Sequence, residues 1–476
     1  MFDNSHCFYR LPEDVDDRLD VLFNDTLFDV LELSKKRASQ NFIELDQVVN
    51  FKRESRNPEE YPDDEFVYVD IGSVNLTTGK TNPEIMLGKD ATSSRVRRVI
   101  HKNEILVSTT RPTRNAICIV PDELDNQICS TGFAVLETKG EILSKFLFYS
   151  LRSDFCKMQF ERYCSGSGYP AINQEKDLPK IVIPKVDEKI QKQILGKITS
   201  IEIEAEKLEK TANQIRNDAN NSLLIDLKLG SIPRHFNYFF KTGMEEESTV
   251  FFQFASDVTD RMQFLFFHPK YAYLENLKEK YEVVTLDSII QTEINRGEQV
   301  KESENGVHLL IKTAQLKNGF IDFETSSYVT EEVFNANPKA QVKKGDILIA
   351  STGYGSLGKV DVYDNDLPAL VDGHISIIRV NSEYDPYFVT YYLRSNLGQL
   401  QVEKWWTGSS GQIELPSHNL DDFIIISKES LPLDKQNRIA KNITEKLFQA
   451  QELEKSSHAK RLEAQSIFDE FLTSLH

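Results

Sequence analysis

Cysteine is scarce in this chain and unevenly spread. All five, Cys7, Cys118, Cys129, Cys156 and Cys164, lie in the first half of the 476 residues. The number is odd and no C-x-x-C pair occurs, which argues against a disulfide framework or a zinc site and leaves reduced, buried thiols as the expectation. Long apolar runs are also missing. Stretches such as Phe264 to Phe267 are far too short to cross a bilayer. The opening residues, with Asp3, Glu13, Asp14, Asp16 and Asp17, lack the basic-then-apolar pattern of an export signal. A cytoplasmic protein without membrane contact is expected.

Catalytic signatures are missing as a group. The nine histidines show no H-E-x-x-H or comparable ligand spacing. No Pro-Pro occurs, so there is no compact polar-Pro-Pro-aromatic loop of the kind that holds an amine for methylation. Gly353-Tyr354-Gly355-Ser356-Leu357-Gly358-Lys359 satisfies both G-x-G-x-x-G and G-x-x-x-x-G-K. A phosphate loop, however, needs Ser or Thr after the lysine and a helix to follow. Val360 stands there instead, and Val360-Asp361-Val362-Tyr363 alternates as a strand does, so the stretch reads as a glycine-rich hairpin loop.

Positive charge is in deficit overall, with a net −18. A phosphate responds mainly to charges within about 10 Å at ordinary salt, so local distribution matters more than the sum. Between Thr92 and Arg114 lie Arg95, Arg97, Arg98, Lys102, Arg111 and Arg114 against Glu104 alone. Such an island suits nucleic acid; the alternative is a solvated face. The acid elsewhere, at Glu59 to Glu65 and Glu202 to Glu209, also suits basic partner subunits.

What the chain does contain is itself, twice. At a shift of about 242 residues, Asp17 to Phe23 lies over Asp260 to Phe266, and Glu104 to Thr110 over Asp346 to Thr352. Phe146, Tyr149 and Leu151-Arg152-Ser153 lie over Phe388, Tyr391 and Leu393-Arg394-Ser395. Near the end, Lys207 to Lys210 falls over Glu452 to Lys455 at a shift of about 245. Solenoid units are far shorter; this is a duplicated half-protein. Each copy reads as a helical lead-in, a β-rich body of about 150 residues and a long helix. The lead-ins span about Asp16 to Arg37 and Phe264 to Tyr281. Strands are expected at Phe66 to Ile71, Ile105 to Val107, Ala116 to Val120 and Phe133 to Leu136. Their counterparts are Val307 to Ile311, Asp346 to Ala350, Lys359 to Tyr363 and Ile375 to Val380.

The helices carry the clearest local signal. Ile194, Ile198, Ile201, Ala205, Leu208, Ala212, Ile215, Ala219 and Ser222 alternate in steps of four and three, a heptad seam. The second copy gives Ile439, Ile443, Ala450, Leu453, Ala464, Ile467 and Phe471, interrupted by Lys446, Ser457 and Lys460. A helix from Ile190 to Leu229 is roughly 60 Å long. Antiparallel pairing of the two seams is expected, with packing of each helix on its own β domain as the alternative. Small Ala and Ser residues in the seam favour close pairing. The fold class is thus mixed α/β (α+β), two β-rich domains separated by two long antiparallel coiled-coil helices. The expected divisions are a lead-in at 1–40, a first β domain at 41–186, a helix at 187–230, a linker and second lead-in at 231–277, a second β domain at 278–431 and a helix at 432–476.

Polar and aromatic loops recur at equivalent places. Ser108-Thr109-Thr110-Arg111 matches Ala350-Ser351-Thr352-Gly353, after the same strand. Tyr163-Cys164-Ser165-Gly166-Ser167-Gly168-Tyr169 matches Trp405-Trp406-Thr407-Gly408-Ser409-Ser410-Gly411. Glycine allows close backbone approach, Ser and Thr donate to phosphate and base edges, and Arg and Gln read bases. The DNA-contact candidates are therefore Arg95, Arg97, Arg98, Lys102, Thr109, Thr110, Arg111, Arg114, Ser165, Ser167 and Tyr169 in the first copy. In the second they are Thr352, Tyr354, Ser356, Lys359, Thr407, Ser409, Ser410 and Gln412. For any one loop, an ordinary turn behind a buried aromatic is the competing reading.

Taken together, the chain resembles the DNA-specificity subunit of a type I restriction–modification system. The likeness rests on the double architecture, on Gly345 to Gly353 continuing through Gly358-Lys359-Val360, and on Thr407 to Ser410 followed by Leu420. It rests also on Leu431-Pro432-Leu433 with Gln436 and Ile439, of which Pro184, Gln191 and Ile194 persist in the first copy. The resemblance implies two target-recognition domains reading a bipartite double-stranded DNA sequence, asymmetric because the copies differ. It implies no catalysis and no cofactor in this chain, docking of two methyltransferase subunits that carry S-adenosylmethionine, and recruitment of motor–nuclease subunits that use ATP and magnesium. Other readings are a coiled-coil adaptor whose β domains bind two protein partners, and a nucleotide hydrolase using the Gly353 loop.

Overall fold

The computed structural model describes residues 41–166, 168–229, 266, 271–353, 355–409 and 412–475. The first lead-in, most of the segment before Tyr271, and Ser167, Tyr354 and Ser410 lie outside the described residues. At Ser409 and Gln412 the strand backbone alone is described. Two compact units divide the chain, one running to Lys210 and resuming at Leu453, the other from Thr211 to Glu452.

The first unit contains β1 (Phe42–Glu44), β2 (Val49–Lys52), β3 (Glu65–Val69), β4 (Glu84–Leu87), β5 (Val96–Ile100), β6 (Ile105–Ser108), β7 (Ile117–Ile119), β8 (Gln127–Ser130) and β9 (Phe133–Thr138). Helices α1 (Ser144–Arg152) and α2 (Asp154–Tyr163) follow, then β10 (Val182–Pro184) and the long α3 (Glu188–Asp226), which belongs to this unit as far as Lys210 and to the second beyond it. Four strands pair in the order β2-β9-β6-β7, four more as β4-β3-β8-β5, and β1 pairs with β10.

The second unit repeats this plan. After α4 (Ala272–Lys280) come β11 (Val283–Thr285), β12 (Asn295–Arg296), β13 (His308–Ile311), β14 (Ser327–Val329), β15 (Gln341–Val342), β16 (Ile347–Ala350), β17 (Val360–Val362), β18 (Ala369–Val371) and β19 (Ile375–Ile378). Then follow α5 (Pro386–Arg394), α6 (Asn396–Trp405), β20 (Thr407–Ser409), β21 (Gln412–Glu414), β22 (Ile424–Ile426) and α7 (Leu433–Ser474), whose residues from Leu453 onward belong to the first unit. The sheets run β12-β19-β16-β17 and β14-β13-β18-β15, with β11 on β22. Strand for strand, the order is that of the first unit. Every strand expected from the sequence is present.

Burial on both faces explains why the central strands read as short apolar runs and not as alternation. On β6, Ile105 and Val107 join the core beneath the helices, whereas Leu106 joins the core between the two sheets. Likewise Ile347 and Ile349 of β16 face the helices, and Leu348 and Ala350 the other sheet. A strand covered on both sides has no polar face to betray its period.

The helix pairs α1–α2 and α5–α6 were not among the expected elements. Phe146, Tyr149, Phe388, Tyr391 and Tyr392 give these segments an aromatic content that favours strands. Tertiary packing overrides it. Phe146, Leu147 and Leu151 of α1 are fully buried under the sheet.

Buried polar side chains fix both frames identically. Gln159 on α2 donates to Val182 O (2.8 Å) and accepts from Val182 N (2.8 Å). Gln401 on α6 does the same at Ile424 (3.1 and 2.6 Å). Gln191 accepts from Leu143 N (2.9 Å) and donates to Val186 O (3.0 Å); Gln436 accepts from Asp385 N (3.0 Å) and donates to Leu431 O (2.8 Å). Arg152 donates to Ile117 O and Arg394 to Val360 O.

Both expectations for the seams hold at once. In the first unit, Ile194 and Ile198 of α3 share a core with Ala464, Phe468 and Leu472 of α7, while Ala205 meets Ser457, so the helices run antiparallel. The same stretch of α3 also packs on its own domain, where Tyr149 Oη donates to Glu202 (2.6 Å). The three residues that interrupt the second seam are cross-helix polar contacts. Ser457 Oγ donates to Ala205 O (2.8 Å), Lys460 pairs with Glu204 (3.2 Å), and in the second unit Lys446 Nζ donates to Ser222 Oγ (2.6 Å). Among the described residues no helix is long and apolar enough to cross a membrane.

Candidate nucleic-acid interface

In the first unit the chain leaving β6 is stitched to two other segments by main-chain bonds. Thr109 N and Oγ1 both donate to Gly132 O (2.9 and 2.8 Å), in the turn between β8 and β9. Ile172 N donates back to Thr109 O (2.9 Å) and Arg111 N to Pro170 O (2.7 Å). The hairpin is closed by Ser165 and Ala171, which exchange two bonds of 2.9 Å. Thr109, Thr110, Arg111, Ser165 and Tyr169 are thereby brought together.

Arg111 sits in left-handed backbone, φ 49° and ψ 52°. Its guanidinium lies 4.4 Å from the centre of the Tyr169 ring and donates to Gly168 O (3.0 Å). Tyr169 is 74% exposed, unusual for so large a ring. Arg114 is exposed on the short turn of helix that follows.

The remaining basic candidates divide. Arg95 is exposed, and its carbonyl accepts from Thr131 N (2.9 Å), beside Gly132, so it adjoins the cluster. Arg97 faces Glu59 at 3.8 Å. Arg98 Nη1 donates to Lys52 O (2.9 Å), tying β5 to β2, which gives it a structural task. Lys102 is exposed in the turn before β6, at the opposite end of that strand from Thr109.

The second unit uses the same stitches with other side chains. Ser351 N donates to His374 O (2.8 Å) and Leu415 N to Ser351 O (2.8 Å). The hairpin is now a true ribbon, β20 on β21, with Thr407 opposite Glu414. Thr352 Oγ1 bonds His374 Nδ1 (2.5 Å), and Arg296 pairs with Glu414 while its Nε donates to Gly373 O (2.5 Å). Burial pushes the neighbouring Asp372 carboxyl above its usual range. The structure thus gathers Thr352, Thr407 and the backbones of Ser409 and Gln412. Ser356 and Lys359, both half-buried, belong to the tight turn joining β16 to β17, where Gly358 N donates to Ala350 O (2.9 Å). That turn leads into a strand, as the sequence implied, and offers no helix N-terminus to a phosphate.

Sequence reasoning missed His374, Arg296 and Glu414. Carrying the repeat through the turn before β19 sets His374 over Gly132 and would have found the first of them. Arg296 and Glu414 lie too far apart in the chain to be paired by spacing. Among the described residues no group of three or more His, Cys, Asp or Glu could hold a metal ion.

The pairs of glycine-framed loops, built alike and furnished differently, invite comparison with known proteins. A family model, the type I restriction modification DNA specificity domain, matches residues 39–217 and again 278–464. The MjaVIII specificity subunit of Methanocaldococcus jannaschii is 28% identical over 293 residues, 59% of this chain and 59% of its own length. The HindI specificity subunit of Haemophilus influenzae is 30% identical over 166 residues, 34% of this chain and 36% of its own. The chain therefore matches less than two thirds of the length of either relative. A crystal structure of the HsdS subunit from Thermoanaerobacter tengcongensis aligns over 91% of this chain and 95% of that one, at 21% identity and a TM-score of 0.35. The two family matches cover most of the chain and fall one on each copy of the repeat: the chain belongs to the type I restriction–modification DNA specificity family.

Proposed function

We propose that this chain is the sequence-specificity subunit of a type I restriction–modification complex, and that each unit reads one half of a bipartite, asymmetric DNA target. The carrying observation is the pair of loop clusters after β6 and β16. The bonds that tie Thr109 to Gly132 and Ile172 recur at Ser351 with His374 and Leu415, yet one cluster presents Arg111 on Tyr169, while the other has Gly353 at the place of Arg111 and presents Thr352 bonded to His374. Identical frames with different donors are what two different half-sites require. Thr110, Ser165, Arg95 and Arg114 are the further contacts proposed in the first unit, and Thr407 with the β20–β21 ribbon in the second; Thr109, expected among them from the sequence, is buried with its hydroxyl bonded to Gly132 O and holds the frame instead.

On this reading the chain catalyses nothing and holds no cofactor. Adenine methylation would come from two methyltransferase subunits carrying S-adenosylmethionine, and cleavage from motor–nuclease subunits using ATP and magnesium. The paired helices would set the spacer between half-sites, and their acidic outer faces would meet the partner subunits. Footprinting of the complex purified with its methyltransferase tests this. Two protected half-sites on one DNA face are expected; a single continuous footprint or none would overturn the reading in favour of a protein adaptor.

A further inference from the structure

Resting on that specificity reading, we infer that Arg111 reads a guanine in one half-site and that Tyr169 is the positioning residue that holds it in plane. The first ground is the backbone. Arg111 adopts φ 49°, a conformation in which a Cβ is strained, and the repeat places Gly353, φ 98°, at the same point of the other unit. Glycine is thus the residue this turn prefers. The main-chain bonds of Arg111, to Pro170 O and from Arg114 N, are open to any residue other than proline. What distinguishes arginine is its side chain, and strain kept for a side chain is a mark of function.

The second ground is how that side chain is held. The Tyr169 ring stacks on the guanidinium and Gly168 O takes one of its five N–H groups. Among the described residues no carboxylate pairs with it. A phosphate contact needs only a mobile positive charge. A planar fork fixed on an exposed ring suits the paired O6 and N7 acceptors of guanine in the major groove. In the second unit Gly353 stands at the place of Arg111, Thr352 is bonded to His374 and Arg296 to Glu414, so among the described residues this device is found in the first unit alone.

The test uses the chain in complex with its methyltransferase, assayed for methylation of DNA in which each target base pair is varied in turn. Wild type should demand a G·C pair in one half-site. Arg111→Lys and Arg111→Gly should both lower that single preference by roughly 5- to 150-fold, with the rest of the target unchanged. Arg111→Gly should melt no lower than wild type, which removes misfolding as an explanation. Tyr169→Ala should weaken the same preference and Tyr169→Phe restore it. Equal loss at every sequence, or no change, would overturn the assignment of Arg111. An unaltered Tyr169→Ala beside an altered Arg111→Lys would overturn the role of Tyr169. A wild-type complex with no two-part target would instead sink the specificity reading on which this rests.

Discussion

A buried side-chain amide that closes a pair of main-chain bonds is worth more than its own two contacts suggest. Gln159 is fully buried, and its removal leaves the N–H of Val182 without this partner and its C=O with the weak Cys156 Sγ contact at 3.8 Å. Gln159→Leu should cost about 1–3 kcal/mol, because a buried N–H left without a partner carries its desolvation penalty. The loss should be seen as faster hydrogen exchange at Val182 and its neighbours. His101 supplies a pH dependence. Its ring lies between Glu54 (3.1 Å) and Asp125 (3.3 Å), and the bond to Glu54 raises its pKa above the ordinary 6.5. A raised histidine stabilises fully below its unfolded value, and that stability fades as pH climbs through the folded one. Thermal melts between pH 5 and pH 8 should therefore lose a small increment in the upper part of that range. His101→Gln should flatten it.

Among the elements, the long helices were readable and the short ones were not, for a physical reason. A heptad seam sustained over many turns leaves a period that no other structure shares, and all nine seam positions of α3 are buried or half-buried. Nine- and ten-residue helices such as α1 and α2 hold barely three turns, too few for periodicity to outweigh aromatic strand preference. The polar breaks in the α7 seam were legible as breaks but not as contacts, since their partners lie more than two hundred residues away. Ser457 shows what they do. It is buried against the fully buried Ala205. Ser457→Ala should cost about 1 kcal/mol by losing one bond. Ser457→Leu should cost about 1–3 kcal/mol by forcing bulk into a small-residue contact. Denaturant unfolding of the two variants side by side checks the order; equal effects would assign the position to polarity alone.

At the scale of the whole molecule the net charge of −18 sets the terms of DNA binding. A local group of basic residues such as Arg95 and Arg114 attracts phosphate nearby, while the acidic remainder of the chain repels it. The chain alone should bind DNA weakly and with little sequence preference, and gain specificity with its methyltransferase partner. Electrophoretic mobility shifts with and without that partner test this, and tight specific binding by the lone chain would count against it. The sequence revealed the duplication, the strands and the loops that approach one another. It did not reveal which loop residues are already occupied. Arg98 and Arg296 look as available as Arg111 in a one-dimensional reading, and only tertiary contacts separate them.

Thr109 and Ser351, and the turns and hairpins beside them, are held mainly through amide hydrogens and carbonyls. Backbone groups are common to every residue except proline, so most loop side chains can be exchanged without disturbing the register of the strands below. Such a loop is a socket that accepts many inserts. A library randomised at Thr110, Arg111, Thr352 and Tyr169 should remain largely folded while its members part company over which DNA they choose.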